Sequence, residues 1–232
     1  MLCITEALAQ APPAVAELKS YEEKVAERSI LFRGKQAERY TFPANGHVYW
    51  ESPEYFQATV EFEGRVYYDV PVNIEALTQR ALVRLPGSQL AVALSPESVE
   101  SIVTGDRRFT GVGPGQAIPE GFYEVFGYGP EYVYKHVEKR LQTSTSDVNG
   151  DNIGYYDPKY NPELTRYFAI RKSYYFRDAA GNFSVIKNRG DLLRKFPDRK
   201  KELRKAANAA RLDIAGVSFD DYCKGVLRIA SR

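Results

Sequence analysis

Cysteine is scarce in this chain, with Cys3 and Cys223 the two among 232 residues. Cys3 lies ahead of a candidate secretory cleavage site, so a processed chain keeps Cys223 alone. That excludes an internal disulfide and a cysteine-rich metal site, and Cys223 reads as a half-buried small residue on a C-terminal helix. Histidine is equally rare: His47 and His136 fall on separate expected strands and cannot supply a zinc set. No apolar run reaches the roughly 18 residues that a membrane-spanning helix needs. One-sided charge is also missing, since 32 Lys and Arg face 30 Asp and Glu for a net +2. That balance argues against a protein given over to nucleic acid, while leaving local patches open. No Gly-x-Ser-x-Gly elbow occurs. Glu61, Asp69, Asp106 and Glu124 are available as an acid/base pair for glycan cleavage, but no spacing singles out two of them. An enzyme is therefore not expected.

What the chain does have is alternation. Residues 57–110 alternate apolar and polar side chains, interrupted at Glu63-Gly64, Pro86-Gly87 and Gly105-Asp106. Period-two alternation with turn chemistry at the breaks predicts an antiparallel meander. Ala58, Val60 and Phe62 share one face of the first strand, and Val66, Tyr68, Val70, Val72 and Ile74 one face of the second. A two-residue loop would pair Phe62 with Arg65 and oppose the apolar faces. A three-residue loop, Glu63 to Arg65, pairs Phe62 with Val66 and is the expected register. Pro71 has no N–H for a ladder and suggests an edge or a bulge. In the next hairpin, Ala81, Val83 and Leu85 answer Leu90, Val92 and Leu94 across Pro86-Gly87-Ser88.

Toward the N-terminus, Ala7-Leu8-Ala9 before Gln10 fits a small-x-small cleavage site, and residues 1–9 read as the remnant of a signal peptide. Export is expected, to the periplasm, the outer membrane or the medium. A charged segment follows that leans to helix, then short strands at Ser29 to Arg33 and Glu38 to Phe42, and a turn at Asn45-Gly46. Gly111 to Gly115 is read as a flexible connector and not a phosphate loop, because a strand-like GFYEVFGY follows it instead of a helix. Hairpins are expected at Gly121 to Tyr128 with Tyr132 to Leu141, turned at Gly129-Pro130, and at Leu164 to Arg177 with Phe183 to Ile186. From Lys187 the period becomes helical through Leu192, Leu193, Phe196, Leu203, Ala207, Ala210 and Ile214. Pro197 is placed as a first helical residue, and Ser218 as the N-cap of a last helix. The fold class is α+β, mainly an antiparallel sheet over residues 10–186 with a helical cap over 187–232.

Three groups of residues invite a functional reading. Asp147, Asn149 and Asp151 alternate oxygen donors as a calcium loop does and resemble the opening of an EF-hand or dockerin loop. Asn152 replaces the usual glycine and Pro158 stands where a bidentate glutamate belongs, and an Asx-rich turn explains the same residues. Calcium is the one cofactor considered. The long turn-rich segment and the strand after it offer Tyr155, Tyr156, Tyr160, Tyr174 and Tyr175 as ligand-binding aromatics. Lys187 to Arg211 holds ten Lys and Arg against three acids, with Lys200, Lys201, Arg204 and Lys205 as candidates for an anion site. The solvated face of an amphipathic helix accounts for the same run.

The blocks VEFEGRVYYDVPVNIEALTQRALVRL, VESIVTGDRRF, GFYEVFGYGPEYVYKHVEKRL and FPDRKKELRKAANAARLD resemble, in their order, a family of uncharacterised exported bacterial proteins. The resemblance covers most of the chain after about residue 40. It implies an envelope location and a β framework with a helical tail, and it carries no site residues. The expected role is a non-catalytic envelope protein, a binding or structural module for a protein or glycan. The alternatives are an extracytoplasmic glycan-acting enzyme and an anion or nucleic-acid binder.

Overall fold

Eleven strands form one antiparallel sheet in the computed structural model, which describes residues 29–41, 44–143 and 166–231. The strands are β1 (Lys35–Gln36), β2 (Phe56–Phe62), β3 (Arg65–Glu75), β4 (Arg80–Arg84), β5 (Ala91–Leu94), β6 (Val99–Thr104), β7 (Arg107–Val112), β8 (Gly121–Phe126), β9 (Tyr132–Thr143), β10 (Arg166–Arg177) and β11 (Phe183–Ile186). Their order across the sheet is β1-β5-β4-β3-β2-β6-β7-β8-β9-β10-β11. Three helices follow: α1 (Arg189–Arg194), α2 (Lys200–Ala209) and α3 (Phe219–Ala230). The molecule is sheet-dominated with a helical end, so the α+β class holds only in that coarser sense. No described helix is long and apolar enough to cross a membrane.

The first hairpin corrects the expected register. Phe62 pairs with Arg65 across a two-residue turn, with Glu63 at φ 49° and Gly64 at φ 70°. Two consecutive positive φ values suit the right-handed twist of the flanking strands. The opposed faces that this turn creates are brought back into phase further along. Val60 pairs with Tyr67 but Ala58 pairs with Val70, so one extra residue is inserted in β3, where Asp69 takes φ 52°. That bulge flips the strand. Tyr67, Val70, Val72 and Ile74 are buried, whereas Val66 is 43% exposed. Pro71 lies two residues beyond Asp69 in an interior strand, so the bulge is the half of its signal that applies. The second hairpin has the expected register, with Val83 opposite Val92 and Ala81 opposite Leu94.

Other local expectations shift. Ser29 to Arg33 is not a strand: Ile30–Phe32 is a 3-10 turn capped by Ser29, and it drives Leu31 fully into the core. The short strand nearby is Lys35–Gln36; residues 38–41 of the expected strand Glu38 to Phe42 are not in a strand, and Phe42 lies outside the described residues. Gly111 ends a strand instead of lying in a loose connector, because a side chain there would come within 1.9 Å of the Pro96 carbonyl oxygen. Pro197 precedes the helix it was placed in, and Ile214 lies beyond that helix and is 52% exposed. Ser218 caps α3 as expected, its hydroxyl accepting from Asp221 N.

The sheet curls so that the β3–β4 turn closes on β9. Lys139 N donates to Ala76 O at 2.9 Å. The Gln79 side chain donates to Ala76 O and Val137 O and accepts from Phe122 N. Inside this curl lies a first core that includes Trp50, Val60, Phe62, Val72, Ile74, Phe109, Phe122 and Val137. A second core joins Phe126, Val133, Phe176 and Ile186 to Leu192, Leu203, Tyr222, Cys223 and Val226 from the helices. The helical cap is thus docked on the far end of the same sheet.

Candidate functional site

Between the two cores the sheet carries a layer of charge. On the inner face of β8 the side chains run Phe122, Glu124, Phe126, and on β9 they run Val133, Lys135, Val137. The outer members belong to the two cores and the middle ones are charged. Glu124 is 3% exposed and accepts from Arg107 Nε at 2.9 Å and Lys135 Nζ at 3.2 Å. Lys135 also reaches Asp220 of α3 at 2.6 Å, and Arg107 pairs with Glu51 at 2.8 Å. Lys224 of α3 lies 3.7 Å from Glu124, and Tyr174 donates to Asp220 at 2.7 Å.

Burial pulls the Lys135 ammonium down, but the bond to Asp220 and the charge of Glu124 outweigh it and leave the pKa raised. Burial pushes Asp220 up, and hydrogen bonds from Lys135 and Tyr174 reverse the sign, holding it below its ordinary value. Every carboxylate in the layer faces a cation. Such an arrangement locks two packing units in register and does not present a reactive group.

Of the four carboxylates considered as an acid/base pair, Glu124 alone enters this layer. Glu61 accepts from Ser101, Asp69 sits at the bulge, and Asp106 lies in the β6–β7 turn. Glu124 meets Arg107, Lys135 and Lys224, and Glu51 and Asp220 complete the layer through Arg107 and Lys135; none of these five is among the expected site residues. A signal was present: charged residues framed at i±2 by large apolar ones, as in Phe122-x-Glu124-x-Phe126.

The other expected residues are scattered. Tyr174 and Tyr175 project to opposite faces of β10, one onto Phe219 and Asp220, the other toward Tyr123 on the outer face. Tyr155, Tyr156, Tyr160, Asp147, Asn149 and Asp151 lie outside the described residues. Among the described residues, no group of His, Cys, Asp or Glu is arranged to hold a metal. Lys201, Arg204 and Lys205 are exposed on α2, away from buried Leu203 and Ala207, whereas Lys200 is half-buried at its first position; none of the four makes an ion pair among the described residues. His136 stacks on Tyr123 with centroids 4.8 Å apart, and its buried Nε2 has no hydrogen-bond partner. His47 is remote in role. Its carbonyl accepts from Lys139 Nζ at 2.8 Å, and its Nδ1 lies 3.3 Å from the same ammonium. Cys223 is fully buried, and burial pushes its thiol well above the usual range.

The outer face of the sheet holds the feature best suited to a ligand. Register pairs Val103 with Arg108, Val125 with Tyr134, Tyr134 with Tyr175 and Tyr175 with Val185. These pairs draw an aromatic and aliphatic row across the strands, ending at Val185, which is 54% exposed. Beside it opens a cleft of about 460 Å³ lined by Tyr134, Phe183, Ile118, Val112, Gln116 and Glu97. Phe183 meets Tyr134 edge to face, with centroids 5.1 Å apart. Both rings are half-buried, and the Tyr134 hydroxyl makes no hydrogen bond to any described residue. Burial is the main cause of its raised pKa, so it is a neutral donor and acceptor. A second cleft of about 440 Å³ beside His47 is lined by Tyr40 and Tyr49. The Tyr40 hydroxyl is engaged, donating to Glu75 at 2.5 Å. Comparison with family profiles, curated proteins and solved structures finds no match to this chain.

Proposed function

We propose that this chain is a non-catalytic binding module of the bacterial envelope, and that its ligand is a glycan segment received in the Tyr134–Phe183 cleft. The observation that carries the reading is the half-buried Tyr134 and Phe183 pair with an unspent phenol, set against a wall containing Glu97 and Gln116. Sugar rings offer C–H faces that pack on aromatic rings and hydroxyls that need nearby polar groups, and concave sites of this size bury a few such rings. The buried acids, by contrast, are neutralised inside the protein, which favours binding over catalysis. Envelope location rests on the Ala7-Leu8-Ala9-Gln10 pattern.

Two experiments test this. Calorimetric titration with soluble envelope glycan fragments gives saturable binding that drops at least about tenfold in Tyr134→Ala and Phe183→Ala, with melting temperatures little changed. Binding that survives both substitutions, or no binding at all, overturns the glycan reading. Intact mass by cell fraction tests export, and an uncleaved cytoplasmic chain overturns it.

The unpaired Lys200, Lys201, Arg204 and Lys205 favour a second reading, an anion-binding face on α2. It requires retention on an anionic matrix that falls steeply with salt and is lost on reversal of these charges.

A further inference from the structure

A different part of the sheet has backbone left unspent. Strands β9 and β10 pair over twelve consecutive positions without a shift, from Arg166 opposite Thr143 to Arg177 opposite Tyr132. Strand β11 covers only the last four residues of β10, Tyr174 to Arg177. At the other end, Asn45 N donates to the Arg166 carbonyl from the outer edge. Because Arg166 faces outward in an unbroken antiparallel strand, every second residue does the same, so Ile170 and Lys172 present N–H and C=O away from β9. Lys139, the register partner of Ile170, confirms the parity, since its own N–H points away from β10 to Ala76. No described residue pairs with the main chain of Ile170 or Lys172.

This gap is bounded by the Asn45 bridge at one end and by Ile186, opposite Tyr174, at the other. Its side chains are Ile170, 58% exposed, and the cations Arg171 and Lys172, with Lys187 one residue past the end of β11. All three cations are exposed and none has an ion-pair partner among the described residues. Sheet edges of this kind are commonly blunted by a bulge, a proline or shortness. Here the register is unbroken and the strand is long.

We propose that the open edge of β10 between Ala169 and Ser173 receives an extended acidic polypeptide as an added strand. Main-chain bonds to Ile170 and Lys172 supply the pairing, Ile170 an apolar contact, and Arg171, Lys172 and Lys187 the preference for acidic side chains. A second copy of this chain fits poorly, because antiparallel pairing of β10 with itself about the middle of this gap sets the Arg171 and Lys172 cations of one copy beside those of the other. The site is separate from the Tyr134 cleft and stands or falls independently of it.

The test uses the full chain and a short synthetic peptide alternating glutamate with valine and threonine, compared with its lysine counterpart. The acidic peptide binds and slows hydrogen exchange at the Ile170 and Lys172 amides by at least about tenfold. Its affinity weakens at least about tenfold on going to high salt. Ile170→Pro removes the outward N–H without touching the β9 ladder, and it abolishes binding. The Arg171→Glu/Lys172→Glu double variant, which leaves the backbone intact, transfers the preference to the lysine peptide. Absence of binding, protection elsewhere on the chain, or an unchanged preference in the double variant overturns the proposal, as does self-association through this edge in the peptide's absence.

Discussion

The Lys135 ammonium lies 2.6 Å from a carboxylate oxygen of Asp220, and this contact crosses from the middle of the sheet to the first turn of the last helix. Asp220 is 23% exposed, Lys135 only 5%. With Glu124 behind it, the pair forms the charged seam between a core enclosed by curled sheet and a core covered by helices. Removing one member strands its partner in an apolar setting, and that asymmetry governs the first prediction.

Asp220→Asn is expected to destabilise the fold by about 2–3 kcal/mol, and Lys135→Met by more, because the latter leaves nearly buried Glu124 short of a cation. In a chain of this length each kcal/mol lowers the melting temperature by about 2–4 °C. Asp220 is held below its ordinary value of 3.8, so the unfolded chain binds more protons there than the folded one. Its contribution is complete above that value and lost as pH falls through the lower folded value. Denaturation midpoints measured across the acid range show a shallower acid limb in Asp220→Asn.

Lys139 gives a slope of the same sign in an alkaline window. Burial lowers its pKa from 10.5 to about 8, and among the described residues its Nζ bonds only to His47 groups. His47 is lowered as well, first by burial and then by the Lys139 charge. Between about 8 and 10.5 the unfolded chain holds more protons at Lys139, so stability rises with pH across that window. Lys139→Met removes the rise and raises stability at pH 7 by about 1–2 kcal/mol. Urea midpoints at neutral and alkaline pH measure both effects.

Gln79 closes the curl. It stands at φ 54° with three side-chain hydrogen bonds spanning the β3–β4 turn, β8 and β9. Gln79→Gly relieves the backbone conformation but forfeits those bonds, for a net loss of about 1–2 kcal/mol. Exchange of the Phe122 amide accelerates while the β4–β5 ladder is unaffected.

Gly111→Ala tests the wall of the cleft. The added methyl meets main-chain atoms of Pro96 at 1.9–2.9 Å, which no side-chain rotation relieves. A cost of about 2–4 kcal/mol follows, with loss of ligand binding at the Tyr134 cleft. Gly87→Ala, at φ 66° and with no atom within 4 Å of the new methyl, costs backbone strain without a clash, the converse of Gly111, which is not at positive φ. Thermal melts and the glycan titration read the two costs separately.

Most strands were legible because alternation and turn residues are local. Phe183–Ile186, the Val83–Val92 register and the Ser218 cap follow from residues within a few positions of one another. The first hairpin misled because its two cues conflicted. Glu63-Gly64 asked for a tight turn, the face pattern asked for one residue more, and Asp69 supplied that residue further along the strand. The candidate site was barely visible. Tyr134 and Phe183 lie far apart in sequence, and Tyr174 with Tyr175 read as one patch although neighbouring strand residues face opposite ways.

By itself the sequence determined the strand and helix periods, the hairpin order and the lack of cysteine chemistry, since each depends on short-range stereochemistry or on simple presence. Tertiary structure decided how far the sheet curls, where Glu124, Lys135 and Asp220 meet, and which edge of β10 stays open. Those outcomes depend on contacts between residues distant in the chain, such as Lys135 with Asp220 and Lys139 with Ala76, whose pairing no local pattern encodes.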